Sequence, residues 1–361
     1  MPNRRKLLLA AGLSSCALPC VQAARQPKQP HVVVIGAGGA GLAAAAEAAR
    51  CGALVTVLEK QNAVGGDTLI SGGFYAAVDP KRQIPQGISD SIERFTADIL
   101  ESGGDKSDPR LAQILARGAG AMLEQLESLG MRFQPDVIEI YGAHWPRCHK
   151  PMMPNGVGYI QALHSEALRR GAQIRTNCQV TGLILNPAGN VSAVRYTSHK
   201  KIYKMRANAV IIASGGFGAN TKMVARYQPK LAMLTTDNTP GSTGEMLEIA
   251  VRDCRAKLID MAEIQCLPGC PADRKHRVRL HNDVSRFIFV DPSGRRFCRE
   301  DERRDVLRDT VLSLPGGIAY SITDAAGLRS YDILIQKEAV LGVETGDAWS
   351  SSTLEGLAKM M

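Results

Sequence analysis

The apolar and polar positions are most regular near the start of the chain. His31–Ile35 is an unbroken run ending in β-branched residues, read as a strand buried on both faces. After a glycine-rich turn, the alanine-rich stretch Leu42–Arg50 reads as a helix, and the apolar run Ala53–Leu58 predicts a second strand. Between residues 84 and 175 the spacing becomes mostly helical. Ile92, Phe95, Ile99, Leu111, Ile114, Leu115, Met122, Leu123, Leu126 and Leu129 recur at that spacing and are expected to be core. Alternation returns at Val180, Leu183 and Leu185, breaks at the turn residues Pro187–Asn190 and resumes at Val191 and Val194, predicting a small β-meander. Val210–Ala213 reads as one more buried strand, and the closing STLEGLAKMM as a helical piece.

Composition narrows the class. The chain has 361 residues, long enough for two domains, and it is rich in glycine (35 residues) and poor in aromatics (5%). That favours an α/β protein with many tight turns over an aromatic-rich sandwich. Residues 1–24 have a basic start, a short apolar run (Leu7–Leu13) and small residues at Ala23 and Ala24, the layout of an export signal. Arg4-Arg5 resembles a twin-arginine signal and points to a periplasmic destination; a general secretory signal and, from Leu13-Ser14-Ser15-Cys16, a lipoprotein signal are the alternatives. The apolar run is too short to span a membrane, and nothing later in the chain reads as a span.

Setting that segment aside removes three cations and no acids, taking the formal charge from +9 to +6. A moderately basic chain without a lysine-rich tail or base-stacking aromatics argues against nucleic acid and for a site that takes small anions. Nine cysteines are present; the seven beyond the leader are scattered, and Cys266 and Cys270 could pair or bind metal, but buried or free thiols are the simpler reading. No CxxCH occurs, so the chain holds no c-type haem of its own.

The stretch HVVVIGAGGAGLAAAAEAARCGALVTVLEK joins these elements into one chemical unit. Gly36, Gly38 and Gly41 form GxGxxG, with Gly39 and Ala40 between them, directly after a strand and opening a helix. Gly36 permits the tight turn, Gly38 lets a pyrophosphate approach the backbone, and Gly41 lets helix and strand pack closely. The helix N-terminus offers unpaired N–H groups and a positive dipole to phosphate. Glu59, 18 residues after Gly41, closes the second strand and is placed to accept from ribose hydroxyls, with Lys60 beside it. The motif alone does not separate FAD from NAD.

The next stretch, NAVGGDTLISGG, supplies Gly65, Gly66, Asp67, Thr68, Gly72 and Gly73. It resembles the flavoprotein family of soluble fumarate reductases, urocanate reductases and 3-ketosteroid dehydrogenases, in which a Gly-Gly-Asn-Thr…Gly-Gly pattern lines FAD; Asp67 stands in place of Asn. No histidine lies in this stretch, so the resemblance implies non-covalent FAD. NAVIIASGGFGAN (208–220), with Ala213 and Gly215, resembles the strand and turn that return to the FAD sheet. TPGSTGEM (239–246) resembles a Thr-Gly-Asp loop near the flavin, with Glu245 for Asp, and the meander carrying Val180 precedes the returning strand as in the family. RCHKPMMPNGVGY resembles an Arg-x-His-Arg-Pro segment; its His149 either approaches the flavin or is structural. The resemblance implies a Rossmann-like α/β FAD-binding domain of the glutathione-reductase type over residues 31–259. An α+β capping domain over 260–361 would be incomplete, because family members continue well beyond this endpoint.

One charged stretch, GRRFCREDERRD (294–305), resembles the family segment whose last arginine faces the flavin. The match falls on Gly294, Arg295, Arg296, Phe297, Glu300, Arg304 and Asp305, with Arg299 in place of Asn. It makes Arg304 the proton donor for a C=C bond that receives hydride from flavin N5. A guanidinium is normally too weak an acid for this, so the role needs a carbanion-like acceptor and prompt reprotonation. The plainer reading pairs Arg304 with Glu300 or Asp301 along a helix. Leu267, in IQCLPGC, replaces a histidine that grips the far carboxylate in fumarate reductases, and the relay Glu and Arg have no clear match; Arg279, His281 and Arg286 are nearby candidates. The expected activity is therefore reduction of a small anionic unsaturated acid, fed by a separate electron carrier such as a c-type cytochrome; one carboxylate with an apolar or differently polar tail fits Leu267 better than fumarate does, and a hydrophobic substrate is the other option. The alternatives are a dehydrogenase that introduces a double bond and a non-catalytic remnant. No metal is expected.

Overall fold

The computed structural model describes residues 29–140, 142–269, 276, 278–280 and 283–360. The leader reading at residues 1–24, together with His281 and Cys270, falls outside these residues.

The chain begins as a β-α-β unit: β1 (His31–Ile35), α1 (Gly39–Arg50) and β2 (Leu54–Leu58), in register from His31 opposite Leu54 to Ile35 opposite Leu58. A short helix, α2 (Gly66–Ile70), leaves the second strand. It is followed by β3 (Tyr75–Ala76), α3 (Pro80–Gln83), α4 (Ile92–Ser102), α5 (Pro109–Ser128), β4 (Phe133–Ile138), β5 (Cys148–Pro151) and α6 (Val157–Arg169). Then come β6 (Gln173–Arg175), the strands β7 (Gln179–Leu185), β8 (Val191–Ser198) and β9 (Lys201–Arg206), and β10 (Ala209–Ile212). The central sheet runs β10-β1-β2-β6, parallel throughout; β7-β8-β9 form the antiparallel meander, and β3-β5-β4 a second small antiparallel sheet.

Successive residues of β1 feed two cores. Val34 packs with Val55, Val57, Leu42, Ala45 and the α6 residues Tyr159, Ile160 and Leu163. Val33 and Ile35 pack with Leu58, with Val180, Leu183, Val194 and Tyr196 of the meander, and with Met246 and Ile249 of a later helix. Burial on both faces is why these strands read as unbroken apolar runs. Each fully buried Val or Leu removed from water contributes on the order of 2 kcal/mol.

The rest comprises α7 (Thr221–Tyr227), α8 (Glu245–Cys254), an antiparallel ribbon of β11 (Phe287–Val290) with β12 (Tyr320–Thr323), and the helices α9 (Arg304–Ser313), α10 (Ala325–Ser330), α11 (Ile333–Thr345) and α12 (Leu354–Ala358). None of the helices among the described residues is long and apolar enough to cross a membrane.

Two expectations are overturned. Val210–Ala213, read as a buried strand, forms β10 at the edge of the central sheet, where it has a neighbouring strand on one side only, and it is partly exposed, with Ile212 at 44%. The stripe Leu111, Ile114, Leu115, Met122 on α5 is exposed, with Ile114 at 68%. The buried face is instead Ala112, Ala116, Ala119, Leu123 and Leu126. Small residues win the inner face because α5 must approach its neighbours closely, and Gly120 has the Val78 carbonyl 3.1 Å from where a Cβ would sit. The span 84–175 also contains three strands, β4, β5 and β6, that its helical pattern concealed.

Candidate functional site

The glycine turn between β1 and α1 is as tight as its motif demands. Gly36 has φ +103°, and a Cβ there would lie 2.5 Å from Ala213 O. A Cβ at Gly41 would lie 1.9 Å from Gly36 O, so α1 starts where only hydrogen fits. The N-cap residue of α1, Gly38, has no side chain to cap the helix, and Ala40 in the first turn is exposed. Gly39 N–H donates to Thr68 Oγ1 at 3.1 Å, and Gly65 N–H to Ala37 O at 2.9 Å, so the Gly65–Thr68 stretch lies alongside the turn. Gly65 and Gly66 both have positive φ, with a Cβ at Gly66 3.6 Å from Gly38 Cα.

Glu59, just past β2, is 7% exposed. Its Oε2 accepts from Ala37 N–H at 2.7 Å and its Oε1 from Gln61 N–H at 2.8 Å. Each carboxylate oxygen keeps a lone pair for a ribose hydroxyl. A helix start without an N-cap side chain, beside a glycine turn and with an oriented carboxylate at the tip of the next strand, fits a dinucleotide: the turn would take the pyrophosphate and Glu59 the ribose. Gly215 (φ +75°) and Gly216, after β10, have open space where side chains would stand, leaving room on that side.

Gly73 (φ +75°) packs on Asn155, whose carbonyl oxygen would be 2.2 Å from a Cβ, while Gly72 lies against the Phe74 ring. Gly156 was not anticipated: a Cβ there would lie 1.7 Å from Thr68 O. The Pro154-Asn155-Gly156 run was the available signal, a turn dipeptide behind proline. The Val180 side chain is buried in the core, so only its backbone can face a nucleotide. Asp67, Lys60 and Glu245 act within the protein. Lys60 pairs with Glu245 and also donates to Thr243 Oγ1 at 3.0 Å. Burial pushes the Glu245 carboxyl up, but bonds from Lys60 and Thr243 outweigh it and hold the group below its ordinary value. The four bonds at Asp67 act likewise against burial.

The charged run 294–305 separates into local pairs. Glu300, 4% exposed, binds Arg296 and accepts from Phe289 N–H at 3.0 Å; Arg299 pairs with Asp301 at 2.7 Å and Arg303 with Asp305 at 2.7 Å. The helix α9 begins only at Arg304, so the helical pairing of Arg304 with Glu300 or Asp301 does not form. The Arg304 side chain lies against Gly142 (φ +73°), with Cγ 3.2 Å and Nε 3.5 Å from a Cβ built there. Gly142 N–H donates to Asp301 O at 3.2 Å, tying this loop to the turn before α9. The loop returns to β5 through Arg147, which is 2% exposed, pairs with Asp90 (2.8 Å) and Asp98, and stacks on Phe95. His149 is wholly buried, with Nδ1 3.1 Å from Tyr75 O and Nε2 3.2 Å from Asp79 Oδ2, which is a structural placement.

Arg279 is buried and bidentate to Glu338, with Nη1 3.4 Å from Asn155 Oδ1. Leu267 is 38% exposed. Arg286, half exposed, lies 4.0 Å from Asp283. Among the described residues no His/Cys/Asp/Glu group could hold a metal ion.

Comparison with known proteins matches this geometry. The family model described as FAD binding domain matches residues 31–334. A urocanate reductase of Eggerthella lenta is 36% identical over 314 residues, covering 84% of this chain and 51% of that protein. A probable fumarate reductase of Shewanella frigidimarina is 32% identical over 323 residues, covering 86% of this chain and 54% of that one. The open conformation of a flavocytochrome c3 fumarate reductase superposes with a TM-score of 0.71 at 30% identity, covering 92% of this chain and 59% of that chain. The chain thus spans about half the length of the curated relatives it matches. A 3-ketosteroid dehydrogenase from Rhodococcus jostii shares the fold at 22% identity, TM-score 0.71. On its sequence match and its fold, the chain belongs to the FAD binding domain family of flavoproteins, alongside urocanate and fumarate reductases.

Proposed function

We propose that the protein is an FAD-dependent reductase that saturates the activated C=C bond of a small unsaturated carboxylic acid. The observation that carries this is the placement of Arg304: first residue of α9, with its side chain held against Gly142 in the loop that leads to β5. Relatives named as urocanate and fumarate reductases support the reaction class.

Gly36, Gly38, Gly41 and the start of α1 would hold the pyrophosphate of FAD, and Glu59 its ribose. FAD bound there and reduced by the electron carrier would supply a hydride for one carbon of the double bond. Arg304 supplies the proton for the other carbon, and its fixed cation stabilises negative charge developing there. The positive end of the α9 dipole draws the substrate carboxylate to the same place. Leu267, where the family pattern carries a carboxylate-gripping histidine, favours a substrate with one carboxylate and a different tail. Electrons come from a separate carrier such as a c-type cytochrome, and the leader read in residues 1–24 fits work in the periplasm.

The test is anaerobic reoxidation of the reduced holoprotein by urocanate, fumarate and acrylate in turn. At least one should reoxidise the flavin rapidly, and Arg304→Ala should slow that by about a thousandfold, the range for a lost general acid, without loss of FAD. Unchanged reoxidation in Arg304→Ala would refute the assignment.

A further inference from the structure

Asp67, in the first turn of α2, is surrounded by donors from a single loop. Its Oδ1 accepts from Thr239 N–H at 2.6 Å and Thr239 Oγ1 at 2.9 Å; its Oδ2 accepts from Asn238 Nδ2 at 2.9 Å and from Ser242 Oγ. An asparagine would keep this set only if the Ser242 hydroxyl and the Asn238 amide both turned round to accept. It offers one accepting oxygen, which must stay on the Thr239 N–H, whereas the carboxylate accepts from every one of these groups.

The loop that Asp67 holds also touches the other walls of the cradle. A Cβ at Gly218, in the turn after β10, would lie 2.3 Å from Asn238 Oδ1. Gly241 lies against Gln61, which follows Glu59, with Nε2 2.8 Å from a Cβ there. Gly244 (φ +74°) packs on Phe217, and Ala219 N–H donates to Ser242 O at 2.9 Å. Residues 238–244 thus join three segments that enclose the dinucleotide position: the end of β2, the start of α2 and the turn after β10.

We propose that Asp67 is a positioning residue that assembles the FAD cradle before the cofactor arrives, by clasping the 238–242 loop, and is not itself a ligand of FAD. Its two carboxylate oxygens are occupied by donors within the protein, which leaves them turned to the loop. Loss of the clasp frees the loop and with it one wall of the site.

The experiment uses the whole chain and the variants Asp67→Ala, Asp67→Asn and Ser242→Ala. Backbone hydrogen exchange of residues 238–243 is followed in the cofactor-free protein, and FAD affinity by quenching of flavin fluorescence. Asp67→Ala should speed exchange of this segment and weaken FAD, each by about tenfold or more, the scale of hydrogen bonds to a charged group. Asp67→Asn and Ser242→Ala should shift both readouts in the same direction by less, and they carry the test if Asp67→Ala does not fold. Native exchange in the variants would overturn the clasp. Faster exchange with unchanged FAD affinity would overturn its link to the cradle. A wild-type chain that took no FAD would count against the family's cofactor here, and the exchange data would still decide the clasp.

Discussion

Gly41→Ala tests one of the tightest approaches among the described glycines. A methyl there would sit 1.9 Å from the Gly36 carbonyl oxygen and 2.9 Å from its carbon, where ordinary contact begins at 3.4 Å. Both atoms are backbone and both belong to the turn, so no rotamer change relieves the clash. Either α1 moves away from β1 by more than 1 Å or the turn opens. Overpacking typically costs 1–3 kcal/mol, and a backbone clash at the junction of two buried elements belongs at about 3 kcal/mol. In a chain of this size that is a fall of roughly 5 °C in Tm, read by calorimetry. The same displacement carries the α1 N–H groups off the pyrophosphate position, so FAD affinity, read by flavin fluorescence, should fall together with Tm. Gly118→Ala is the control. It lies within α5 with nothing inside 4 Å of the new methyl, and should stabilise by about 0.5–1 kcal/mol through helix propensity alone. If Gly41→Ala kept both the wild-type Tm and the wild-type FAD affinity, the claim that α1 must touch the turn to build this site would be wrong.

Three further outcomes follow from the same geometry. Arg147→Met leaves the buried Asp90 side chain and the partly buried Asp98 without their cation, and should cost about 3–5 kcal/mol in urea unfolding, far more than any surface pair. Against the opposing effect of burial, Arg147 and Gln83 hold the Asp90 carboxyl below its ordinary 3.8. Its stabilising contribution is therefore complete above pH 3.8 and is lost as pH falls through the lower folded value. Acid titration should show stability dropping below about pH 4 in the wild type, and a weaker dependence in Asp90→Asn. On α5, Ile114→Lys should change stability by less than about 0.5 kcal/mol, while Ala116→Leu should cost about 1–3 kcal/mol; the reverse order would restore the stripe read from spacing alone.

The contrast within α5 shows where sequence reasoning stops. Periodicity tells which residues share a helix face, but Ala112–Ala116–Ala119 and Leu111–Ile114–Leu115 are both apolar faces. Choosing between them needs the distance to the neighbouring elements, which a pattern does not carry. The β-α-β unit was legible because its constraints are local: an apolar run, a glycine that must hold φ +103°, a helix start and a carboxylate one strand later. Structure shifted those boundaries only slightly, starting α1 at Gly39, before Leu42.

By itself, then, the amino-acid order determined the nucleotide turn, the meander and the position of Arg304 in a recognisable segment, since each depends on residues close together along the chain. Tertiary structure alone decided that Asp67 faces Thr239 and Ser242 about 170 residues away, that Gly156 closes on Thr68, and that Arg304 lies on Gly142 instead of on Glu300. These are pairings across long loops. Hydrogen-bond donors and small residues abound in such loops, and only the packed sheet and its helices bring one particular set within bonding distance.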